Sequence, residues 1–334
     1  DYGRPDNGVP RFAAPGDVVL RPVTELGVKR SNYYGFAEDH EGYRTHIATA
    51  IFEHAFTPDI KFTNVTRAGF YDTERFVTTM PPGNIYNAVN CPTLVTCTIA
   101  PGRSTRGMRG ATYQNQATLT ANFDTGSVSH ETAVGFDLSR EVLHHLNHDQ
   151  IPGLPRLDLN NPVLAPHGHV HTLTGDVRHI VNTVGANVYD RMHFGNGFYG
   201  IGGVRVERYS VDSHNLFTGA NSAFAQTLFS WQAALEYKPF ENHTYYVSVS
   251  NTQLPTSPTA GYTTGPGVFA TFASSPYQVM NYEVGGKWNL LDDRLGLGAS
   301  LFYQTRSNSV DTDAAGNLII HNDNRNVLGV ELSV

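Results

Sequence analysis

The sequence predicts an all-β chain laid out as a transmembrane, antiparallel, up-and-down β-barrel, and three observations predict it. Apolar and polar residues alternate with period two in run after run, the mark of strands with two unlike faces. Tight turns and long loops follow one another in strict alternation, as in barrels with short turns at one rim and long loops at the other. The composition supplies the third: among 334 residues there are 32 Gly, 18 Phe and 17 Tyr, with only 16% charged, against about 25% in an average globular domain. Abundant aromatics and few charges favour sheet and exclude disorder, and the glycines lack the three-residue period of collagen. No run of about 20 apolar residues occurs, so no membrane-spanning helix is expected, whereas a barrel strand needs only about 9 to 11 residues with alternate ones facing lipid. The net charge of -7 leaves no basic excess, and no nucleic-acid partner is expected.

About eleven strands are expected. Strands at 45–56 and 60–77 flank the turn Thr57-Pro58-Asp59, the second alternating poorly. Strands at 112–123 and 128–143 flank Asp124-Thr125-Gly126-Ser127, and strands at 180–192 and 197–212 flank His193-Phe194-Gly195-Asn196. The strand at 229–238 sets Phe229, Trp231, Ala233, Leu235 and Tyr237 against Ser230, Gln232, Ala234, Glu236 and Lys238, and the turn Pro239–Asn242 leads into 243–251. In the strand at 278–290, Tyr282, Val284, Gly286, Trp288 and Leu290 oppose Asn281, Glu283, Gly285, Lys287 and Asn289. After Leu291-Asp292-Asp293, the strand at 294–307 sets Leu295, Leu297, Ala299, Leu301 and Tyr303 against Gly296, Gly298, Ser300, Gln304 and Arg306, with Phe302 the exception. The last strand, 325–334, carries Leu328, Val330, Leu332 and Val334 on one face. Long loops are expected at 78–111, 144–179, 213–228, 252–277 and 308–324. Tyr237 and Trp288 stand near the short-turn ends, where an interfacial aromatic girdle would lie. A soluble sandwich is the competing architecture, but Greek-key connections would break this simple order.

Several stretches carry a family resemblance. NYEVGGKWNLLDDRLGLGASLFYQTRSN at Asn281–Asn308 and SWQAALEYKP at Ser230–Pro239 resemble the late-barrel signatures of TonB-dependent siderophore receptors. DYGRP at Asp1–Pro5, ATAIFEHAF at Ala48–Phe56, NQATLTANFDTGSVSHETAVGFDLSRE at Asn115–Glu141 and NVLGVELSV at Asn326–Val334 extend the likeness over nearly the whole chain. The DYGRP opening, with Tyr34-Gly35 and Asp39, is most similar to the catecholate-type branch. The resemblance implies a bacterial outer-membrane receptor that imports a ferric siderophore as transported ligand, with no covalently bound cofactor. It further implies a 22-stranded barrel around a plug, of which 1–334 would be a single partial barrel domain lacking the plug. TonB and its inner-membrane complex would energise the intact parent, with outer-membrane lipid and lipopolysaccharide as surroundings. An internal fragment is expected, because Asp1 is preceded by no leader and alternation runs to Val334. A passive porin, or a soluble β-rich binding protein, would share the strand pattern.

Within 78–111 the chemistry is cationic: no Asp or Glu occurs from Arg75 to Phe123, while Arg103, Arg106 and Arg109 fall close together. Ferric catecholates are aromatic anions that guanidinium groups bind by charge and stacking. These three, with Tyr33 and Tyr34, are the candidate ligand contacts; lipopolysaccharide phosphates or solvent are the other partners open to the arginines. Cys91 and Cys97, the only cysteines, suit a disulfide in an oxidising compartment. The 144–179 loop holds seven of the 15 histidines, namely His144, His145, His148, His167, His169, His171 and His179. His167, His169 and His171 share one face of an extended segment, as a transition-metal site or a pH-gated loop would require, or a polar surface loop would permit.

No catalytic function is expected. GNGFYG at Gly195–Gly200 mimics a dinucleotide fingerprint, but it leads into a strand instead of a helix. The adjacent Asp292 and Asp293 occupy a turn, where Asp serves local hydrogen bonding. No nucleophile-elbow, zinc-protease or phosphate-loop motif occurs. Glu236, Lys238, Glu283, Lys287, Arg205, Glu207 and Glu331 read as a lumen-lining set.

Overall fold

The computed structural model describes residues 28–79, 96–149, 154–255, 276–307 and 325–334, with short strand pieces at 11–12, 21–22, 309–312 and 318–321. Eleven strands form one sheet that follows chain order without a crossover. They are β1 (His40–Thr57), β2 (Ile60–Thr79), β3 (Gly102–Thr125), β4 (Val128–His148), β5 (Leu173–Gly195), β6 (Phe198–Asn215), β7 (Asn221–Phe240), β8 (His243–Leu254), β9 (Tyr277–Leu290), β10 (Leu295–Ser307) and β11 (Arg325–Ser333). β1 and β11 are the edges of this open sheet. The short pieces pair among themselves, Arg11–Phe12 with Arg21–Pro22, Thr98–Ile99 with Leu157–Asp158, and Ser309–Thr312 with Leu318–His321. Among the described residues no helix is long and apolar enough to cross a membrane, which says nothing about strands.

Each expected strand is present, and the turns explain the pairing. Thr57 Oγ1 accepts from the Asp59 and Ile60 amides at 3.2 and 3.0 Å, closing the β1–β2 turn. At the β5–β6 turn Asn196 and Gly197 have φ of 50° and 77°, the Asn-Gly arrangement of a type I′ hairpin. A Cβ on Gly197 would stand 2.0 Å from the Lys238 carbonyl. GNGFYG is thus a hairpin, not a phosphate cradle. Leu291, Asp292 and Asp293 all have positive φ, of 55°, 53° and 63°; Asp tolerates that region, while Leu pays the full steric penalty.

Two faces emerge as the alternation requires. On the apolar face Leu235 is 63% exposed and Val284 53%, and Phe229, Val247 and Leu301 are exposed beside them. Such a surface is stable only against hydrocarbon, since soluble monomers rarely expose large contiguous apolar patches. The opposite face is polar and ion-paired. Arg205 on β6 meets Asp137 on β4 in two parallel bonds of 2.6 and 2.9 Å, reaching over β5 at Gly185. A Cβ there would lie 2.4 Å from Arg205 Nη2 and 2.9 Å from Asp137 Oδ1, so this mid-strand glycine makes room for the pair. Arg191 lies 3.4 Å from both Glu131 and Glu236 with its guanidinium 4.1 Å from the centre of the Tyr199 ring.

The strands run further than the sequence suggests toward the long-loop side. β3 begins at Gly102 instead of 112, and the 213–228 loop shrinks to the segment between Asn215 and Asn221. On β7 the apolar residues change face: Phe224 is half-buried and Leu228 is 3% exposed, whereas Phe229 is exposed. That switch breaks the period-two signal without breaking the ladder. At 24 residues, β3 is about twice the length needed to span a bilayer.

The chain divides into two compact units. One comprises 1–45, 71–109 and 144–176; the other comprises 46–70, 110–143 and 177–334, the greater part of the sheet. A buried apolar cluster of Val28, Phe36, Cys97, Ile99, Leu157 and Leu159 belongs to the first, with Tyr34 and Leu154 packed against it.

Candidate functional site

The site is built entirely from the first unit. Its foundation is the apolar cluster, where the two-residue strand Thr98–Ile99 pairs with Leu157–Asp158 and the Leu159 amide donates to the Cys97 carbonyl at 2.9 Å. Tyr34 donates its hydroxyl to the Leu159 carbonyl at 2.6 Å, and Asn32 donates to the carbonyls of Leu159 and Asn160 at 3.1 Å each. Three segments far apart in sequence are thereby fixed together. Asp158 Oδ1 closes the following turn by accepting from the Asn160 and Asn161 amides at 2.8 Å.

Against that body sits a buried ion pair. Arg103, at the start of β3, bonds Asp39 through Nη1, and their side chains are 1% and 4% exposed. Asp39 also accepts from the amides of Phe36 and Thr78 at 3.2 and 3.1 Å and from the Tyr33 hydroxyl at 3.2 Å. Burial raises its carboxyl, but the bonds from Thr78 and Phe36 and the charge of Arg103 outweigh this and hold it below the usual range. Arg103 Nη1 lies 3.3 Å from Thr78 Oγ1, and its Nη2 lies 3.3 Å from His171 Nε2.

A histidine cluster continues from there. Phe76, 5% exposed, has the rings of His40, His148 and His171 at 5.2, 4.9 and 4.8 Å. His169 and His167 lie 5.1 and 5.8 Å from His171. Asp149, the first residue past β4, holds the group together. Its Oδ2 is 2.7 Å from His169 Nε2 and its Oδ1 is 3.4 Å from His171 Nδ1. Asp149 and Thr172 also exchange bonds, amide to carbonyl at 3.0 Å and amide to Oδ1 at 2.9 Å. The Thr172 amide, aided by His169, lowers the Asp149 carboxyl to about 2. His167 is held apart: burial lowers its pKa despite Glu38, whose carboxylate accepts from the His167 and Gly168 amides at 3.0 and 2.9 Å.

The residues singled out from the sequence therefore part company. Arg103, Arg106 and Arg109 lie on β3, not in a loop. Residues three apart on a strand point to opposite faces, and those six apart stand about 20 Å from each other, so the three do not converge. Arg103 is buried on Asp39, Arg106 is exposed, and Arg109 is exposed with Asp72 at 3.3 Å. Tyr33 is 59% exposed beside the ion pair, whereas Tyr34 faces the apolar cluster. Of the three metal-candidate histidines, His169 and His171 come together with Asp149; His144, His145, His148 and His179 are on strands. Cys97 is fully buried and in a disulfide, and Cys91 lies outside the described residues. Sequence reasoning passed over Asp149, Phe76 and Glu38. The only trace of Asp149 in the sequence is a carboxylate directly after His148, because its partners are 20 residues on.

Comparison with known proteins places this geometry. The family described as "TonB dependent receptor-like, beta-barrel" matches residues 1–334. The chain belongs to that family of β-barrel receptors. It is 24% identical over 360 residues to the catecholate siderophore receptor Fiu of Escherichia coli K12, covering 100% of this chain and 47% of the relative. It is 28% identical over 360 residues to the probable TonB-dependent receptor BfrD of Bordetella pertussis, covering 98% and 46%. In structure it is similar to the closed form of the ferric-catecholate import receptor Fiu, with TM-score 0.80 and 22% identity over 91% of this chain and 46% of that one. PiuA of Acinetobacter baumannii gives TM-score 0.76 and 20% identity over 97% and 48%. The chain spans about half the length of the curated relatives it matches.

Proposed function

We propose that the intact protein is a bacterial outer-membrane receptor that imports a ferric siderophore of the catecholate class, energised through TonB. The observation that carries this reading is the sheet itself, a crossover-free run of eleven strands with an exposed apolar face and an ion-paired polar one, in a chain of the TonB-dependent receptor family. Catecholate specificity is supported by the relative Fiu, a catecholate siderophore receptor, and siderophore uptake more broadly by PiuA, a probable TonB-dependent siderophore receptor. Family membership favours gated import over a passive porin. The reading is of a receptor and not an enzyme, with the siderophore as cargo and no covalently held cofactor.

The first unit supplies the ligand chemistry in this reading. Tyr33 and Arg109 offer an exposed ring and a cation to an aromatic anion, and Arg106, on the opposite face of β3, is available to lipopolysaccharide phosphate. Arg103 acts from behind, holding the Tyr33–Asp39 segment in place. Pairing of Cys91 with Cys97 would tie the segment entering β3 to the apolar cluster.

Uptake of radio-iron as a ferric catecholate, by cells carrying the full-length receptor with and without TonB, tests the function. Import that persists without TonB would overturn it. For the contacts, the affinity read from ferric-catecholate quenching of tryptophan fluorescence is expected to weaken about tenfold in Arg109→Gln, a loss of about 1.4 kcal/mol, and to stay unchanged in Arg106→Gln. Unchanged affinity in Arg109→Gln would remove that arginine from the site.

A further inference from the structure

We propose that Asp149, His169 and His171 form a binding site for one divalent transition-metal ion of the zinc class, which clips together the two feet of the connection between β4 and β5. The site is separate from siderophore recognition and does not depend on it.

The geometry is nearly that of a coordination sphere. One ligand atom from each of the three residues lies within 4.8 Å of the other two. Ligands about 2.0 to 2.2 Å from a tetrahedral ion stand about 3.4 Å apart. The 3.4 Å between Asp149 Oδ1 and His171 Nδ1 is that spacing; the other oxygen, Oδ2, is 2.7 Å from His169 Nε2 in a hydrogen bond that an ion replaces as the carboxylate turns to present one oxygen to it. Two imidazoles and one carboxylate suit zinc, copper or nickel; calcium and magnesium demand mostly oxygen ligands. Three protein ligands leave a fourth position for water.

The surroundings also fit. Asp149 is held in position by the Thr172 amide at 2.9 Å, as ligating residues generally are by neighbours, and the His169 amide donates to His167 Nδ1 at 3.0 Å, which fixes the backbone that carries the His169 ring. Arg103 is neutralised by Asp39, so an incoming dication meets the single negative charge of Asp149. Ligation through His171 Nδ1 places the ring proton on Nε2. Arg103 Nη2 then gives up its contact there, at 3.3 Å, while Nη1 keeps Asp39 and Thr78.

The consequence is mechanical. Asp149 directly follows β4 and His171 nearly abuts β5, so the ion fastens the base of the excursion.

The test uses the full-length receptor in detergent, titrated with Zn²⁺ against a chromophoric chelator. One Zn²⁺ per chain is expected. Asp149→Asn should weaken binding about tenfold, and His169→Gln with His171→Gln about a hundredfold. His243→Gln, at the start of β8 in the second unit, should bind as the parent does. X-ray absorption of the zinc-loaded parent needs no variant and should show two imidazole nitrogens with oxygen ligands. Absence of stoichiometric binding, affinity unchanged in the double variant, or a shell of oxygens alone would each overturn the proposal.

Discussion

The two units solve the same problem with different solvents. The first, formed by 1–45, 71–109 and 144–176, holds the contiguous cluster of Val28, Phe36, Cys97, Ile99, Leu157 and Leu159 and a buried ion pair between side chains 1% and 4% exposed. It excludes water by packing on itself. The second leaves Leu235, Val284 and Val247 more than half exposed and depends on lipid to cover them. Physical rules learned on soluble cores therefore apply to one unit and fail on the other.

The largest break in this contrast should come from the ion pair. Arg103→Leu leaves Asp39 charged and buried alone, a loss of about 3 to 5 kcal/mol. Hydrogen exchange should speed up in 28–39 and 154–172 and stay slow in β6 to β10; a global change would mean that the units are not separable in stability. Next, Leu159→Ala opens a cavity worth about 2 to 5 kcal/mol in detergent and bilayer alike. Leu235→Arg should cost about 2 to 4 kcal/mol, less near the interface, and only when the sheet faces hydrocarbon. Equal penalties for Leu235→Arg in bilayer and in a mild aqueous denaturant series would deny that face its lipid contact.

Acid sharpens the comparison further. The folded Asp39 carboxyl is depressed below its unfolded value of about 3.9. Its contribution is therefore complete above that value and is lost as pH falls through the lower, folded one. Limited proteolysis at falling pH should nick the first unit while the sheet resists. The smallest effect belongs to the β9–β10 turn. Leu291→Gly removes a side chain from φ of 55° and should stabilise the hairpin by about 1 kcal/mol, measured as a shift in unfolding midpoint.

Legibility in the sequence followed the same division. Where lipid demands an apolar residue at every second position, as at Phe229–Tyr237 and Tyr282–Leu290, strands and turns were readable from period alone. Outside that band the demand lapses. The Gly102–Arg109 stretch pairs as strand through polar residues, and the apolar side chains of β7 change face between Leu228 and Phe229, so both were expected as loop. The site was half readable: His169 and His171 stood out by residue type, but nothing local joins them to Asp149, or Arg103 to Asp39, 64 residues earlier. Side-chain chemistry in one dimension shows which groups are available, and long-range closure decides which of them meet.

The exchange of bonds between Asp149 and Thr172 extends the β4–β5 ladder past its last strand residues. Chain inserted beyond this clasp starts from a seam that is already sewn shut, and entropy charges only logarithmically for its length. Residues can be added beyond the seam without asking anything of the strands below, so long as Leu157 and Leu159 keep their places in the apolar cluster, which makes this bight of chain a natural socket for new specificities.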